Sequence, residues 1–441
     1  VTDRTVDITI VGLGPGDRAR RTRAVQEAVD NAETLFLRTA RHPGIEDLAG
    51  RAAAVALEEL PGRNGRDWSV EVNAVCDAAA RGTVVLAVPG HPRYGERLVI
   101  DTIAEAERRG LTIEVHEGLS AIDMVSTALR FDPMVADVHI VDARQLVESV
   151  PKDGFQGGYA SFSPLRPMLF SRVYGNRIAA PLARLLLRIL PPEHPVIIVE
   201  AAGILGSESI EETTVAGLED AKPAHLSSVW VPPLDRLSAG RDPRTLQHVV
   251  ARLRMPDGCP WDRKQSNATL RDALIDEVYE AVDAIDVGDM ENLAEELGDL
   301  FLLIAMHAQI AEEAGQFTLE DVYDGIATKI VRRHPHVFGD DAAEHAEEVV
   351  GLWQRIKAEE REGGKRATKA SDGQPHAMPA LERAKRVLKK RPHPQPASNA
   401  DATGDQLLAI VAGIIDAGDD PEAALRAALE RHVEATERDI P

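Results

Sequence analysis

Along the first 230 residues, short apolar runs alternate with segments whose hydrophobic positions recur every three or four residues. That is the pattern of strands alternating with helices. Residues 6–11 read as a buried strand that runs into Gly12-Leu13-Gly14-Pro15-Gly16-Asp17. A helix is expected over 22–32 and a strand over 34–37. A further strand over 83–88 is stopped by Pro89-Gly90-His91-Pro92. Residues 100–109 read as helix, 112–116 as strand, 119–129 as helix, and 195–199 as the most strand-like run of the chain. The alternation predicts an open, mostly parallel or mixed α/β sheet.

Near residue 235 the β-branched runs cease. Arg241-Asp242-Pro243 has the form of a linker closing at a helix start, and from there to about 360 the period stays near 3.6. Two further helical patterns, 381–390 and 406–417, and a third over 421–437, follow a polar, Gly- and Lys-rich stretch. The expected organisation is therefore multidomain: an α/β domain over 1–235, an all-α domain over 236–360, a linker over 361–378 and a helical segment over 379–441.

A length of 441 residues agrees with two or three domains. With 50 Lys and Arg against 72 Asp and Glu, the net charge is −22. So acidic a chain is a poor sequence-independent nucleic-acid binder, which needs cationic surface to displace counterions. Its two cysteines, Cys76 and Cys259, form no disulfide framework, and a reducing cytoplasm is expected. No basic-then-apolar leader is recognised at the start. No apolar stretch approaches the ~20 residues of a membrane span, so no membrane partner is expected.

The most informative segment is 276–299, which holds ten acidic residues and no Lys or Arg. A solvated acidic face is the ordinary reading of such a run. Its spacing argues for more. Gly288 suits a helix C-terminus and Asp289 the N-cap of the next helix, so the two helices fold back on each other. Glu277 and Glu280 lie 11 and 8 residues before Gly288, and Glu296 and Asp299 lie 7 and 10 after Asp289. At ~1.5 Å rise per residue both pairs sit roughly 11–17 Å from the turn. Each pair is spaced i, i+3 and so faces one side of its helix. Four carboxylates then converge at one level, while Leu297, Leu300, Leu303 and Ile304 imply burial of the second helix in a bundle. Oxygen ligands without basic partners select Mg²⁺ or Mn²⁺, and the implied chemistry is metal-assisted attack of water on phosphorus. A di-iron bundle would want Glu-x-x-His pairs, which are missing.

These residues resemble the ExxE…ExxD signature of the MazG nucleoside triphosphate pyrophosphohydrolases. Cys259-Pro260-Trp261-Asp262 with Gln265 and Leu270 is similar to that family's CPWD…Q segment. Glu295-Glu296-Leu297-Gly298-Asp299-Leu300 is similar to its EELGDLL helix, and residues 329–338 and Trp353-x-x-x-Lys357 complete the match over about 243–358. Asp276 departs from the pattern, where Glu is common. The resemblance implies a Mg²⁺-dependent enzyme that converts a nucleoside triphosphate to monophosphate and pyrophosphate. It implies metal ligands and catalytic groups Glu277, Glu280, Glu296 and Asp299, phosphate contacts from Lys329, Arg333 and Lys357, and Trp353 against the base. It also implies at least a homodimer formed through the 243–358 helices. His334 and His336, which flank Pro335, read as structural.

The N-terminal glycine loop does not suit a dinucleotide fingerprint, because Asp17 stands where the third Gly belongs and Pro15 crowds the turn. Residues 8–17, 36–43, Val88-Pro89-Gly90-His91-Pro92, Gly118-Leu119-Ser120-Ala121 and 195–203 instead resemble the tetrapyrrole (corrin/porphyrin) methylases over about 5–233. The whole chain is similar to a YabN-type fusion of the two. The resemblance implies an S-adenosylmethionine cleft lined by Gly12, Gly14, Gly16, Asp17, Gly90, His91 and Ser120. His91 replaces the Asp common in the family's G-D-P loop, which leaves two readings of this half: methyl transfer, or a scaffold for binding and assembly. In the tail, residues 403–408 and 420–426 are similar to the second half of a further MazG repeat. No ExxE precedes Asp405, so a packing role without metal is expected there.

Overall fold

The computed structural model describes residues 6–16, 18–51, 54–61, 67–149, 162–343, 345–362, 378–388 and 402–437. The chain divides into two compact units, residues 1–319 and 320–441.

The first unit opens with five parallel strands: β1 (Ile8–Gly12), β2 (Thr34–Leu37), β3 (Ala54–Ala56), β4 (Val84–Val88) and β5 (Ile113–His116), in the order β3-β2-β4-β1-β5. Every residue of β4 is buried. A parallel strand covered by helices on both faces reads as an uninterrupted apolar run, and Val84–Val88 is one. Separate cores fill the two faces, one around Ile8, Ile10, Val75 and Leu86 and one around Val11, Val25, Leu35 and Leu48.

A second sheet, where a single one was expected, follows in the same unit. It consists of β6 (His139–Asp142), β7 (Met168–Ser171), β8 (Pro195–Glu200), β9 (Ser209–Thr214) and β10 (Ser227–Val231), ordered β6-β7-β10-β8-β9. Only the β6–β7 pairing is parallel. Its core gathers around Phe170, Leu182, Leu186 and Val229.

After β10 the chain is helical. Helix α1 (Pro243–Arg254) is capped by Asp242, whose carboxylate accepts from the Arg244 N–H at 3.0 Å. Arg241 donates to the carbonyls of Leu187 and Leu190, and Ser163 Oγ donates to Asp242 at 3.4 Å, so the start of α1 is tied to the body of the second sheet. Helices α2 (Arg271–Val287) and α3 (Met290–Glu313) form the expected hairpin. Gly288 closes α2 in the left-handed region at φ 74°, and Asp289 caps α3 by accepting from Glu291 and Asn292 N–H. Leu303 is buried with Val250, Leu270 and Met306. Leu297 and Ile304 are exposed, against the expectation of burial. The reason is geometric: α1 and the start of α2 cover one side of α3, and these two side chains stand on another.

The second unit holds α4 (Leu319–Arg333), a one-turn helix Pro335–Phe338, α5 (Ala346–Glu362), and three tail helices, α6 (Ala380–Leu388), α7 (Ala402–Asp416) and α8 (Pro421–Glu437). Leu388, Val411 and Ala412 form the tail's small core, and Lys385 pairs with Asp420 at the N-cap of α8. Among the described residues no helix is long and apolar enough to cross a membrane.

Candidate active site

The hairpin brings Glu277 and Glu280 of α2 against Glu296 of α3, with one carboxylate oxygen from each lying within 4.8 Å of the others. Among the described residues no other such grouping of three occurs. Asp299 lies outside this trio. Its negative charge still helps to raise the carboxyls of Glu277 and Glu296 above their ordinary values. Desolvation is the largest cause for both, followed by the neighbouring carboxylates. Among the described residues no Lys, Arg or His pairs with any of the four. A site of clustered, partly desolvated oxygens without a cation fits a hard divalent ion by the chemistry of its donor set.

The proposed substrate cations lie in the second unit. Lys329 is exposed on α4. Arg333 is engaged: its Nε and Nη2 donate to Glu360 of α5 at 3.3 and 2.6 Å, and the neighbouring Arg332 donates to the same carboxylate at 2.5 Å. These arginines hold the Glu360 carboxyl down at about 2. Trp353 is half-buried, with the His334 ring edge-on at a centroid distance of 5.1 Å. His334 Nδ1 lies 2.7 Å from the Ile330 carbonyl, in keeping with a structural part. The side chain of Lys357, on α5, lies outside the described residues. Arg332, Pro335, Leu352 and Arg355 line part of a cleft of about 650 Å³ in this unit.

In the first unit the glycine loops meet at the C-terminal ends of the parallel strands, where open α/β sheets bind ligands. Gly14 and Gly90 exchange backbone hydrogen bonds of 3.1 and 2.8 Å, both at positive φ. Gly12, Gly90 and Gly118 touch through their backbones. A Cβ on Gly12 would lie 2.5 Å from the Gly90 oxygen, and one on Gly118 would lie 2.4 Å from the oxygens of Gly12 and Gly90. Gly16 is buried near Ile204, while Asp17 lies outside the described residues. Ser120 is the N-cap of the helix Ala121–Leu129. Its Oγ accepts from Asp123 N–H at 3.2 Å and donates to the Asp123 carboxylate at 2.8 Å. His91 Nδ1 accepts from the Arg93 N–H at 3.0 Å. An Asp at such a turn commonly makes the same bond two residues on, so His91 can take over that turn-forming part.

Two supporting residues were not singled out from sequence. His42 donates from Nε2 to the Gly14 carbonyl at 2.9 Å, and burial holds it below the ordinary histidine value. Its only local signal is its place in the run 36–43. Arg254, at the end of α1, reaches across to α3 and to the turn before α2, and the 59-residue separation from its partner Glu313 leaves no local signal.

Comparison with known proteins agrees with both halves. Residues 7–219 match the Tetrapyrrole (Corrin/Porphyrin) Methylases, and residues 265–338 match the MazG nucleotide pyrophosphohydrolase domain. Over 389 residues the chain is 33% identical to YabN of Bacillus subtilis, covering 87% of this chain and 76% of that protein. The chain belongs to the YabN family. Its helical part is also similar to the nucleoside triphosphate pyrophosphohydrolase of Escherichia coli K12, at 43% identity over 143 residues. A comparable stretch, 43% identical over 142 residues, matches the nucleoside triphosphate pyrophosphohydrolase/pyrophosphatase MazG of Thermotoga maritima. The chain spans only 54% and 53% of these two relatives, whereas the YabN-type match runs through both halves.

Proposed function

We propose that this YabN-type chain is a Mg²⁺-dependent nucleoside triphosphate pyrophosphohydrolase that converts an NTP and water to the NMP and pyrophosphate. The observation that carries the reading is the trio Glu277, Glu280 and Glu296, convergent within 4.8 Å and unpaired with any cation among the described residues. These three, with Asp299, would hold Mg²⁺ or Mn²⁺. When bound, such an ion supplies a Lewis acid that neutralises phosphate charge and favours attack by water. Lys329, Arg333 and Lys357 would contact the phosphates, with Trp353 beside the base. The cations offset the repulsion that an acidic hairpin exerts on a polyanionic substrate. The domain limits that go with this reading are 1–235, 236–360, 361–378 and 379–441.

The same reading includes a homodimer or higher oligomer through the 243–358 helices, supported by the exposure of Leu297, Phe301 and Ile304 on α3. It includes a cytoplasmic setting, in keeping with two free cysteines, and no nucleic-acid partner, in keeping with the net charge of −22. Pyrophosphate release from a panel of NTPs, with Mg²⁺ and with a chelator, tests the activity. No release from any NTP overturns it. Light scattering at micromolar concentration tests the oligomer, and a 47.8 kDa monomer overturns it.

A second reading rests on the glycine loops. We infer that the N-terminal domain takes S-adenosylmethionine at the strand ends near Gly12, Gly14, Gly16, Asp17, Gly90, His91 and Ser120, either for methyl transfer or for binding alone. Calorimetric titration with S-adenosylmethionine tests binding, and transfer of a labelled methyl group separates the two alternatives.

A further inference from the structure

The metal-ligand helices carry like charges at their facing centres, so something at their ends must hold them together. At the turn end, Gly288 and Asp289 do this. At the open end, where α2 begins and α3 ends, the work falls on Arg254. Its side chain is only 6% exposed, and its hydrogen bonds all go to the hairpin or its approach. Nε and Nη2 donate to the two oxygens of Glu313, at the end of α3, at 2.8 and 2.7 Å. Nη1 donates to the carbonyls of Asp262 and Gln265, in the turn before α2, at 2.5 and 3.3 Å. The turn passes the restraint on. Gln265 Oε1 accepts from Thr269 Oγ1 at 2.8 Å, and Asn267 Oδ1 lies 2.8 Å from His307 Nδ1 of α3. The guanidinium therefore pins the start of α2 to the end of α3.

We propose that Arg254 is a positioning residue of the carboxylate site: by fixing how α2 lies on α3 it sets the distance of Glu277 and Glu280 from Glu296 and so the affinity for the metal. This rests on the metal reading given above. Between clamp and cluster the two helices meet through Leu270 at the N-cap of α2, Leu274 on α2, and Leu303 and Met306 on α3, a layer rigid enough to carry a displacement along the hairpin. Glu277 lies six residues into α2 from Arg271, roughly 9 Å along the helix and beyond the turn that Arg254 grips, so Arg254 acts without touching metal or substrate. Lysine cannot replace it fully, because one ammonium cannot grip two carboxylate oxygens and two carbonyls at fixed angles.

The test is Mn²⁺ binding to the full-length protein, followed by electron paramagnetic resonance in the absence of nucleotide, for wild type, Arg254→Met, Arg254→Lys, Glu313→Gln and Glu296→Gln. Thermal melts and circular dichroism accompany each variant. Arg254→Met is expected to weaken Mn²⁺ binding about tenfold, the scale of losses when the support of metal ligands is removed. Arg254→Lys should fall between it and wild type. At saturating metal, Arg254→Met should retain the wild-type KM for NTP. Wild-type Mn²⁺ affinity in a folded Arg254→Met variant, with only a lower Tm, overturns the proposal. Should Arg254→Met not fold, Glu313→Gln is decisive: it leaves both carbonyl bonds in place, and a weaker Mn²⁺ affinity supports the proposal while an unchanged one overturns it. Failure of the underlying metal reading has a different signature. Wild type would then bind no Mn²⁺, or Glu296→Gln would bind it as wild type does.

Discussion

Across the α2–α3 hairpin a carboxylate oxygen of Glu277 lies within 4.8 Å of one of Glu296, with Glu280 in the same cluster and Asp299 adding negative charge beside them. Both carboxyls sit above their ordinary values. A raised acid binds its proton more tightly when folded than when unfolded, so stability falls as pH rises from the ordinary carboxyl value through the raised one. The cost therefore grows as the pH climbs out of the ordinary carboxyl range. Glu296→Gln removes it, so in chelator the variant should melt at a higher temperature than wild type near neutral pH. The difference should vanish once the pH drops below the ordinary carboxyl range. Mg²⁺-dependent hydrolysis should collapse in the same variant, and full activity would remove Glu296 from the ligand set.

Asp242 is almost fully buried at the junction between the second sheet and the helices. Its N-cap bond to Arg244 and its contact with Ser163 make Asp242→Ala destabilising by about 1 kcal/mol or somewhat more. Asp242→Asn keeps an acceptor for the Arg244 N–H and should recover most of that loss. Denaturant melts of the two variants check the ordering.

Glu360 occupies Arg333 and Arg332, two cations next to one another on α4. On the proposed function, a triphosphate reaching Arg333 competes with that carboxylate. Glu360→Gln should therefore lower KM for NTP, and Lys329→Ala should raise it. The Glu360 pair carries the opposite pH sign to the metal cluster. Its carboxyl is held at about 2, so its contribution is complete above the ordinary carboxyl value and is lost as pH falls toward 2. Steady-state pyrophosphate assays on the two variants decide the matter. An unchanged KM in both would leave α4 without a part in substrate binding.

Gly12→Ala places a methyl group against the Gly90 oxygen, the Gly118 nitrogen and Pro92 Cδ, at 2.5 to 2.7 Å. No flexible side chain can yield at the two backbone atoms. Overpacking of this kind costs about 1–3 kcal/mol, and it should abolish S-adenosylmethionine binding as well. A lowered Tm with intact binding would separate the loop from the cofactor.

Features governed by neighbours in sequence were the legible ones. Val84–Val88, buried on both faces, announces itself as an apolar run, and Gly288-Asp289 announces a turn because each residue favours its observed backbone. The trio of glutamates follows from that turn and the helical repeat. The second sheet was less visible. β9, Ser209–Thr214, is an edge strand with polar residues on its open side, so it lacks an apolar signal, and β7 is only four residues long. The exposure of Leu297 and Ile304 was hidden because periodicity places residues on a face without saying what covers it. Arg333 looked like a free cation because Glu360, its partner, is 27 residues away. Arg254 was hidden for the same kind of reason.

The mutual contact of Gly12, Gly90 and Gly118 has a consequence for how this architecture would decay over evolutionary time. These positions exclude side chains because three loop backbones abut there, whether or not any methyl group is ever moved. A lineage that abandoned the chemistry could lose the groups that touch an acceptor while selection for a folded scaffold still preserved the glycines. The glycine signature is thus a fossil that outlives its trade. Its presence follows from the close approach of the loops, so an activity of this domain has to be sought in the side chains around them.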